Sequence, residues 1–565
     1  MELSKKPSII IGALVGALIT APFIALSFLA DQLAGLPFFP FDLFDWVGRN
    51  TPGEIITKVI DTMVTAIETF KLGETSSAAK TAEQLMALGM MMSFGIVVGA
   101  IFFGVLNRIN TKQRSNLIGG IVGALIGIAF VFIFNEVNNT ASADEGLSQV
   151  WIVLAFTVWG VAFGWIYSDL SDFAEKSDEK EKADGNTSYQ LDRRRFLVNV
   201  GGATATLTVL GAGLSLLLNN DADPVETAVI VPDPEGTPDP NAGSQTVQND
   251  LPNAGASLEP APGTRPEYTP LENHYRIDIS TRPPVIDGEE WRLNIAGLVA
   301  APLAMSLTQL MSDYEPVDQF VTISCISNRL AGSLISTTRW TGVQFNQLIE
   351  DWDLSPDATH LRISSADNFD EYVSLDLIRN DDRVLLAYMW DGQPLRERHG
   401  FPVRVYIPDH YGMKQPKWIT NIEAVESWDE GYWVRRGWSR DAIVNTTSVI
   451  DTVAADSIVA QDDGALLVPI GGIAYAGAKQ ISKVEVQVDE GDWQEAELRE
   501  PLSELTWRVW RYDWAFEAGD HSFRVRAYDG AGELQSLESR GTRPDGATGV
   551  HELEQDLQPL ESTES

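Results

Sequence analysis

Cysteine occurs once in the 565 residues, as Cys325. One sulfur excludes an internal disulfide, a multi-cysteine zinc site and a cysteine-held iron–sulfur cluster. It leaves a single nucleophile, a single metal ligand or a buried apolar thiol. Histidine is scarce and one-sided, because all six copies (274, 360, 399, 410, 521 and 551) follow residue 273. No haem is therefore expected in the chain: the N-terminal part has no histidine pair to bind one axially, and no cysteine pair exists to attach one. Positive charge is in deficit, with 41 Lys and Arg against 79 Asp and Glu and a net charge of −38. No nucleic-acid partner is expected, and any anion site must be built from local arginines working against that field.

What the sequence has in excess is uncharged apolar length. Residues 8–30, 85–106, 117–134, 148–167 and 196–218 contain no Asp, Glu, Lys or Arg. Each approaches or exceeds the roughly 20 residues that cross a bilayer, so a transmembrane region of five helices is expected over 1–218. Lys5 and Lys6, then Arg108, Lys112 and Arg114, then Lys176, Lys180, Lys182 and Arg193 to Arg195 fall on one side of these helices. Acidic residues fill the alternate loops: Asp31, Asp42, Asp45 and Glu54 in one, and Glu136, Asp144 and Glu145 in the other. Because Lys and Arg are retained inside, the N-terminus is expected in the cytoplasm and everything after residue 218 outside it. Asp192-Arg-Arg-Arg-Phe-Leu-Val198, followed by a weakly apolar run rich in Gly, Ala and Thr, resembles a twin-arginine export signal. That pathway moves folded proteins, whereas a plain basic flank would account for the arginines alone.

Residues 219–270 are rich in Pro and Asp and poor in apolar side chains, which predicts an extended spacer. Between the first two apolar runs, Ile55, Ile56, Val59, Ile60, Met63, Val64 and Ile67 recur at helical spacing, which predicts an amphipathic helix. From about 271 the pattern changes to short β-branched and aromatic runs broken by Pro, Gly and Asp, as expected of an α+β domain over 271–440.

Four spaced blocks of this domain, Cys325-Ile-Ser-Asn-Arg329, Arg339-Trp-Thr-Gly-Val343, His399-Gly-Phe-Pro-Val-Arg404 and Tyr411-Gly-Met-Lys-Gln-Pro-Lys-Trp418, resemble the pyranopterin domain of the sulfite oxidase family. The likeness continues through Gly431-Tyr-Trp-Val-Arg-Arg-Gly-Trp438 and, more loosely, to about 540. It implies a molybdenum–molybdopterin oxidoreductase that transfers an oxygen atom to or from a small oxyanion or sulfoxide, and the apolar helices and loop charges read above would make it membrane-anchored and extracytoplasmic. A lone thiolate suits such a metal, because the dithiolene of the cofactor supplies two further sulfurs.

By resemblance Cys325 is the metal ligand and His399, Arg404 and Lys417 hold the pterin, which calls for a guanidinium, an ammonium and an imidazole on a rigid scaffold. Asn273, Tyr275 and Arg276 resemble the segment that wraps the pterin, with Arg276 alternatively facing substrate, and Ser364 or Ser365 resembles a hydroxyl contact. Arg329, Arg339, Arg435 and Arg436 are the candidates for orienting an oxyanion. Two positions depart from the family pattern: Trp438 stands where animal sulfite oxidases have a tyrosine beside the metal, and Leu330 where an arginine usually follows Arg329. An indole donates a hydrogen bond but cannot act as the same acid, which brings sulfoxide reduction forward as a competitor of sulfite oxidation.

Alternating runs such as Ile481 to Val488 and His521 to Tyr528 predict an antiparallel immunoglobulin-like sandwich over 441–541, followed by a disordered acidic tail over 542–565. In the resembled family this module forms a homodimer. Two-electron chemistry requires a separate redox partner, a cytochrome or one linked to quinone, and the sequence does not choose between them. The competing class is a non-enzymatic membrane protein whose outer domain keeps the fold without the cofactor.

Overall fold

The computed structural model describes residues 7–69, 75–109, 112–137, 143–184, 251–461 and 465–558, together with residues 202, 204 and 206. Six helices open the chain: α1 (Ile9–Ala34), α2 (Phe39–Asn50), α3 (Gly53–Thr69), α4 (Thr75–Ile109), α5 (Ser115–Val137) and α6 (Glu145–Asp184). Four of them, α1, α4, α5 and α6, contain stretches long and apolar enough to cross a membrane. The last three run past their predicted limits at both ends and α1 at its C-terminal end, because polar turns there keep satisfying the helical hydrogen bonds. Of the expected fifth helix at 196–218 only residues 202, 204 and 206 are described, each of them helical, while the arginine motif before it and the spacer up to residue 250 lie outside the described residues. The amphipathic helix foreseen between the first two apolar runs is α3, and Ile55 and Val59 stand exposed on it.

Glycine draws the helices of this unit together. A Cβ on Gly16 of α1 would stand 2.2 Å from the Gly95 carbonyl oxygen of α4, and one on Gly99 equally close to that of Gly12. Gly119 of α5 and Gly160 of α6 face each other with the same 2.2 Å clearance, so the backbones touch without intervening side chains. Phe39, Phe103, Phe134, Phe156 and Phe163 fill the remaining interior. Large apolar residues such as Leu125, Phe132, Val150 and Trp165 cover the outside. Residues 278–285 pack into this unit. There Asp45 of α2 accepts the Thr281 backbone N–H at 3.2 Å, and Asp31 pairs with Arg282 at 2.7 Å. The Arg282 guanidinium also lies 4.6 Å from the Phe41 ring centre.

The second unit is β-rich. One mixed sheet orders its strands Leu303–Ser306, Arg292–Gly297, Ile419–Val425, His360–Ser365 and Asp370–Ser374, with only the second and third parallel. A second, antiparallel sheet joins Val317–Ser324, Ile335–Gln344 and Leu385–Trp390, the last of which also pairs with Arg404–Tyr406. Between them the short helices Leu307–Asp313, Phe345–Glu350 and Leu375–Asn380 bury Leu310, Leu348 and Ile378 in one core with Leu293, Ile363 and Val405. Ser306 and Gln309 form a reciprocal capping box that starts the first of these helices.

Beyond residue 446, two antiparallel sheets enclose Val468, Ile470, Val484, Val486, Trp510, Phe523 and Val525 as a β-sandwich. Two expectations are corrected here. His551–Leu557, within the stretch expected to be a disordered acidic tail, is a strand paired with Gly519–Asp529. Its Leu553 and Leu557 face the core while Glu552 and Glu554 face out, a period of two that the acidic composition masks. Residues 251–270, expected to remain a free spacer, form a strap held by ion pairs of Arg265 with Asp451 at 2.6 Å and of Glu267 with Arg499 at 2.9 Å.

Candidate cofactor site

Cys325 ends the strand Val317–Ser324. Its N–H donates to the Leu334 carbonyl at 2.9 Å, and its own carbonyl accepts the Asn328 N–H at 3.0 Å, which closes a compact loop. The thiol is buried and its Sγ lies 3.0 Å from the Ser327 hydroxyl. Burial raises its pKa, and the Ser327 hydrogen bonds and the Lys417 charge oppose that rise.

Three residues expected at the pterin converge on Gly400. This glycine, at φ +116°, follows the turn Glu397–His399, and a Cβ on it would come within 3.1 Å of the Arg404 Cβ and 3.2 Å of the Lys417 Cβ. Only glycine allows His399, Arg404 and Lys417 to approach so closely. Arg404 donates to the His399 carbonyl at 3.1 Å and lies 4.7 Å from the Trp340 ring centre. Lys417 donates to the Ile277 carbonyl at 3.2 Å. His399 packs 4.6 Å from Trp390 and 5.2 Å from His274, measured between ring centres.

His274 is the member of this group that the sequence reading passed over. At the end of the short helical turn Leu271–Asn273 the backbone becomes extended at His274, which is buried, as is Tyr275 beside Cys325, while Asn273 is exposed. A signal was present in the period of two of Asn273-His-Tyr-Arg276, which puts 273 and 275 on opposite sides from 274 and 276 only in a straight strand. The short helical turn Leu271–Asn273 breaks that rule.

Electrostatically the group is a buried positive cluster. Burial lowers the pKa of His274 to about 3, with help from Arg404 and Lys417. Burial takes His399 well below its usual value, with His274 and Lys417 adding to the shift. Arg404 itself is brought down to about 10 by burial. Among the described residues no carboxylate lies within ion-pair distance of Arg404, and Arg404 Nε, His274 Nε2 and Ser365 Oγ have no hydrogen-bond partner. A buried guanidinium beside unspent donors fits an anionic, acceptor-rich ligand such as a pterin phosphate. Ser365, rather than the half-buried Ser364, is the inward hydroxyl.

The remaining candidates divide. Arg339 lies four residues, about 13 Å along its strand, beyond the Ser324–Ile335 pair that flanks Cys325, and its charge acts on Asp391. Arg435 is held by Asp370 at 2.5 Å. Strand position separates Arg339 from the thiol, and Arg435 is paired with a carboxylate that the local sequence pattern does not reveal. Arg436 stacks 3.6 Å from the Tyr432 ring centre, and Arg276 is half-buried in the strand-like run after Tyr275. Arg329 is exposed, 3.3 Å from the Thr65 hydroxyl, on a cleft lined also by Ser324, Asn328, Leu330 and Tyr411. Trp438 is half-buried against Trp433 and clustered with Ile326 and Tyr411, with the Arg543 guanidinium 4.5 Å from its ring centre.

Comparison with known families agrees with this geometry. Residues 280–433 match the oxidoreductase molybdopterin binding domain and residues 440–539 the Mo-co oxidoreductase dimerisation domain. This part of the chain belongs to the sulfite oxidase family of molybdopterin oxidoreductases, and its cofactor is molybdenum–molybdopterin. Mitochondrial sulfite oxidase of Mus musculus is 29% identical over 273 residues, covering 40% of this chain and 50% of that protein. A nitrate reductase [NAD(P)H] of Hordeum vulgare is 26% identical over 325 residues, covering 46% of this chain and 36% of that protein. The chain thus spans half or less of the length of these relatives. Among solved structures, the sulfane dehydrogenase SoxCD from Paracoccus pantotrophus superposes with a TM-score of 0.44 at 18% identity, over 54% of this chain and 85% of that one.

Proposed function

We propose that the protein is a membrane-anchored oxidoreductase that transfers an oxygen atom to or from a small oxyanion or a sulfoxide in the space beyond the cytoplasmic membrane. The bound cofactor would supply the two-electron redox centre. Cys325 would be its protein ligand, and His399, Arg404 and Lys417, with His274 and Ser365, would hold the pterin and its phosphate. Tyr275 and Asn273 would border it, and Arg276, Arg329 and Arg436 would orient the substrate near Trp438. The burial of Arg404 without a carboxylate carries this reading, since a chain that merely kept the fold would gain stability by losing that charge.

Sulfoxide reduction competes with sulfite oxidation for one specific reason. Arg435 is paired with Asp370, Arg339 lies far along its strand from the cysteine, and Leu330 is apolar, which leaves fewer cations to bind a doubly charged substrate. The basic flanks at Arg108, Lys112, Arg114 and Lys176 to Lys182 support a cytoplasmic N-terminus and an outer catalytic part, exported folded through the Arg193–Arg195 motif. We read the sandwich as immunoglobulin-like and as the homodimer contact, and a cytochrome or quinone-linked protein as the electron partner.

Metal analysis of the purified full chain tests the assignment, together with turnover of sulfite and of a panel of sulfoxides using artificial electron donors and acceptors. Stoichiometric molybdenum with turnover of one of these classes is expected. A stably folded protein that contains no molybdenum when expressed in a cofactor-competent host would refute it.

A further inference from the structure

Two adjacent acids, Asp370 and Glu371, lie outside the proposed cofactor set and are gripped by both segments that wall Cys325. Glu371 has a fully buried side chain, and its Oε1 accepts the Lys414 ammonium at 2.8 Å, itself 6% exposed. Lys414 belongs to the turn Gly412–Lys414, and this turn rests on Tyr275 and on the end of the strand that leads into the cysteine. A Cβ on Gly412 would stand 3.0 Å from the Tyr275 hydroxyl and 3.6 Å from the Ser324 carbonyl, and Tyr411 is close enough to Cys325 to feel its charge.

The same pair of acids holds the second wall. Asp370 binds Arg435 through two contacts of 2.5 and 3.2 Å, and its carbonyl accepts the Tyr432 N–H at 2.9 Å. Gly431 is pressed onto the Glu371 carboxylate, where a Cβ would approach Oε1 to 2.6 Å. This fixes residues 431–438, whose Trp433, Val434 and Trp438 cluster with Ile326, Tyr411 and Met413 around the residue that follows the thiol.

We infer that Asp370 and Glu371 are positioning residues for the metal site: through Lys414 and Arg435 they set how the 411–415 turn and the 431–438 segment pack against Cys325. The inference rests on the molybdenum reading proposed above. Its physical basis is that a buried ion pair such as Glu371–Lys414 contributes little net stability while breaking it is costly, so it constrains the segments it joins; Asp370 adds a half-exposed contact to Arg435 and a longer one, 3.7 Å, to Arg362. A shift near 1 Å in a reacting geometry costs about a hundredfold in rate.

The test separates placement from stability. Glu371→Leu alone strands the Lys414 ammonium and is expected to misfold. The double variant Glu371→Leu/Lys414→Met removes both charges at similar volume and is expected to fold. In the full-length, cofactor-loaded protein, the double variant should keep its molybdenum and melt within about 4 °C of the parent. Its turnover of sulfite or dimethyl sulfoxide should fall about ten- to hundredfold in kcat with KM little changed, and its Mo(V) paramagnetic resonance signal should shift. Asp370→Asn, which releases the half-exposed Arg435, should move the same signal by less. Should the double variant fail to fold, Asp370→Asn carries the test alone. Unchanged kcat and an unchanged resonance signal in whichever of these variants folds would overturn the inference. A parent protein that turns over neither substrate refutes the proposed reaction, and the resonance signal then still decides the positioning role.

Discussion

Burying a guanidinium costs several kcal/mol unless an anion meets it, so the energetics of Arg404 should change sign with the cofactor. Arg404→Met is expected to raise the melting temperature of cofactor-free protein and to abolish stoichiometric cofactor retention in protein made in a competent host. Thermal melts and molybdenum analysis check both halves. For Cys325→Ser the expectation is a folded protein with turnover reduced at least a thousandfold, since a hydroxyl is a much poorer ligand for a soft-ligand site than a thiolate. Residual turnover near the parent level would remove the thiol from the mechanism. His274 gives a pH signature in cofactor-free protein. Its pKa in the fold, about 3, lies below the ordinary 6.5, so the unfolded chain takes up the proton first as the pH falls. The stability it contributes is complete above about 6.5 and is lost progressively toward 3. Denaturant midpoints at pH 7.5 and 4.5 should therefore diverge in the parent and diverge less in His274→Gln.

Among single residues, legibility tracked chemistry rather than partnership. Cys325, His399, Arg404 and Lys417 stand out in the sequence because their motifs are contiguous, and the structure gathers the last three about Gly400. Arg435 was misjudged because Asp370, 65 residues earlier, is invisible to any local pattern. His274 went unread because its inward aim depends on a short helical turn just before it.

Elements were legible where periodicity was strong and composition unbiased. The apolar helices, α3 and the strands Ile481–Val488 and Gly519–Asp529 are examples. Composition misled at both ends of the β-rich unit: proline hid the strap at 251–270, and acidic residues hid the strand His551–Leu557. Both corrections have consequences. Truncation after Val550 removes a whole hydrogen-bonded edge and the buried Leu557, and should destabilise the sandwich by about 2 kcal/mol or more. A disordered tail would leave the denaturation midpoint unchanged. Arg265→Ala in the strap leaves the nearly buried Asp451 without its cation and should cost roughly 1–3 kcal/mol, read in the same melts.

At the scale of the molecule, charge and hydropathy organise the chain into an apolar helical part and a strongly acidic remainder. The proposed topology predicts that a protease added to right-side-out cells or spheroplasts cleaves within 219–250 and yields a cut chain whose C-terminal fragment carries the β-rich unit. Protection of that unit until the membrane is opened would reverse the orientation. The fragment should retain molybdenum, because every residue proposed to hold the cofactor lies between Asn273 and Lys417.

The glycine contacts of the helical unit set how that part of the molecule can respond to its surroundings. Where α1 lies on α4 and α5 on α6, carbonyl oxygens rest on bare Cα atoms, so neither a lipid tail nor a methyl group fits between them. Each pair is consequently a stiff double beam. With the proposed membrane anchoring, stretching or thinning of the bilayer would tilt such a beam without parting its members, and sequence drift should be tolerated on the greasy outer flank and punished along the seam.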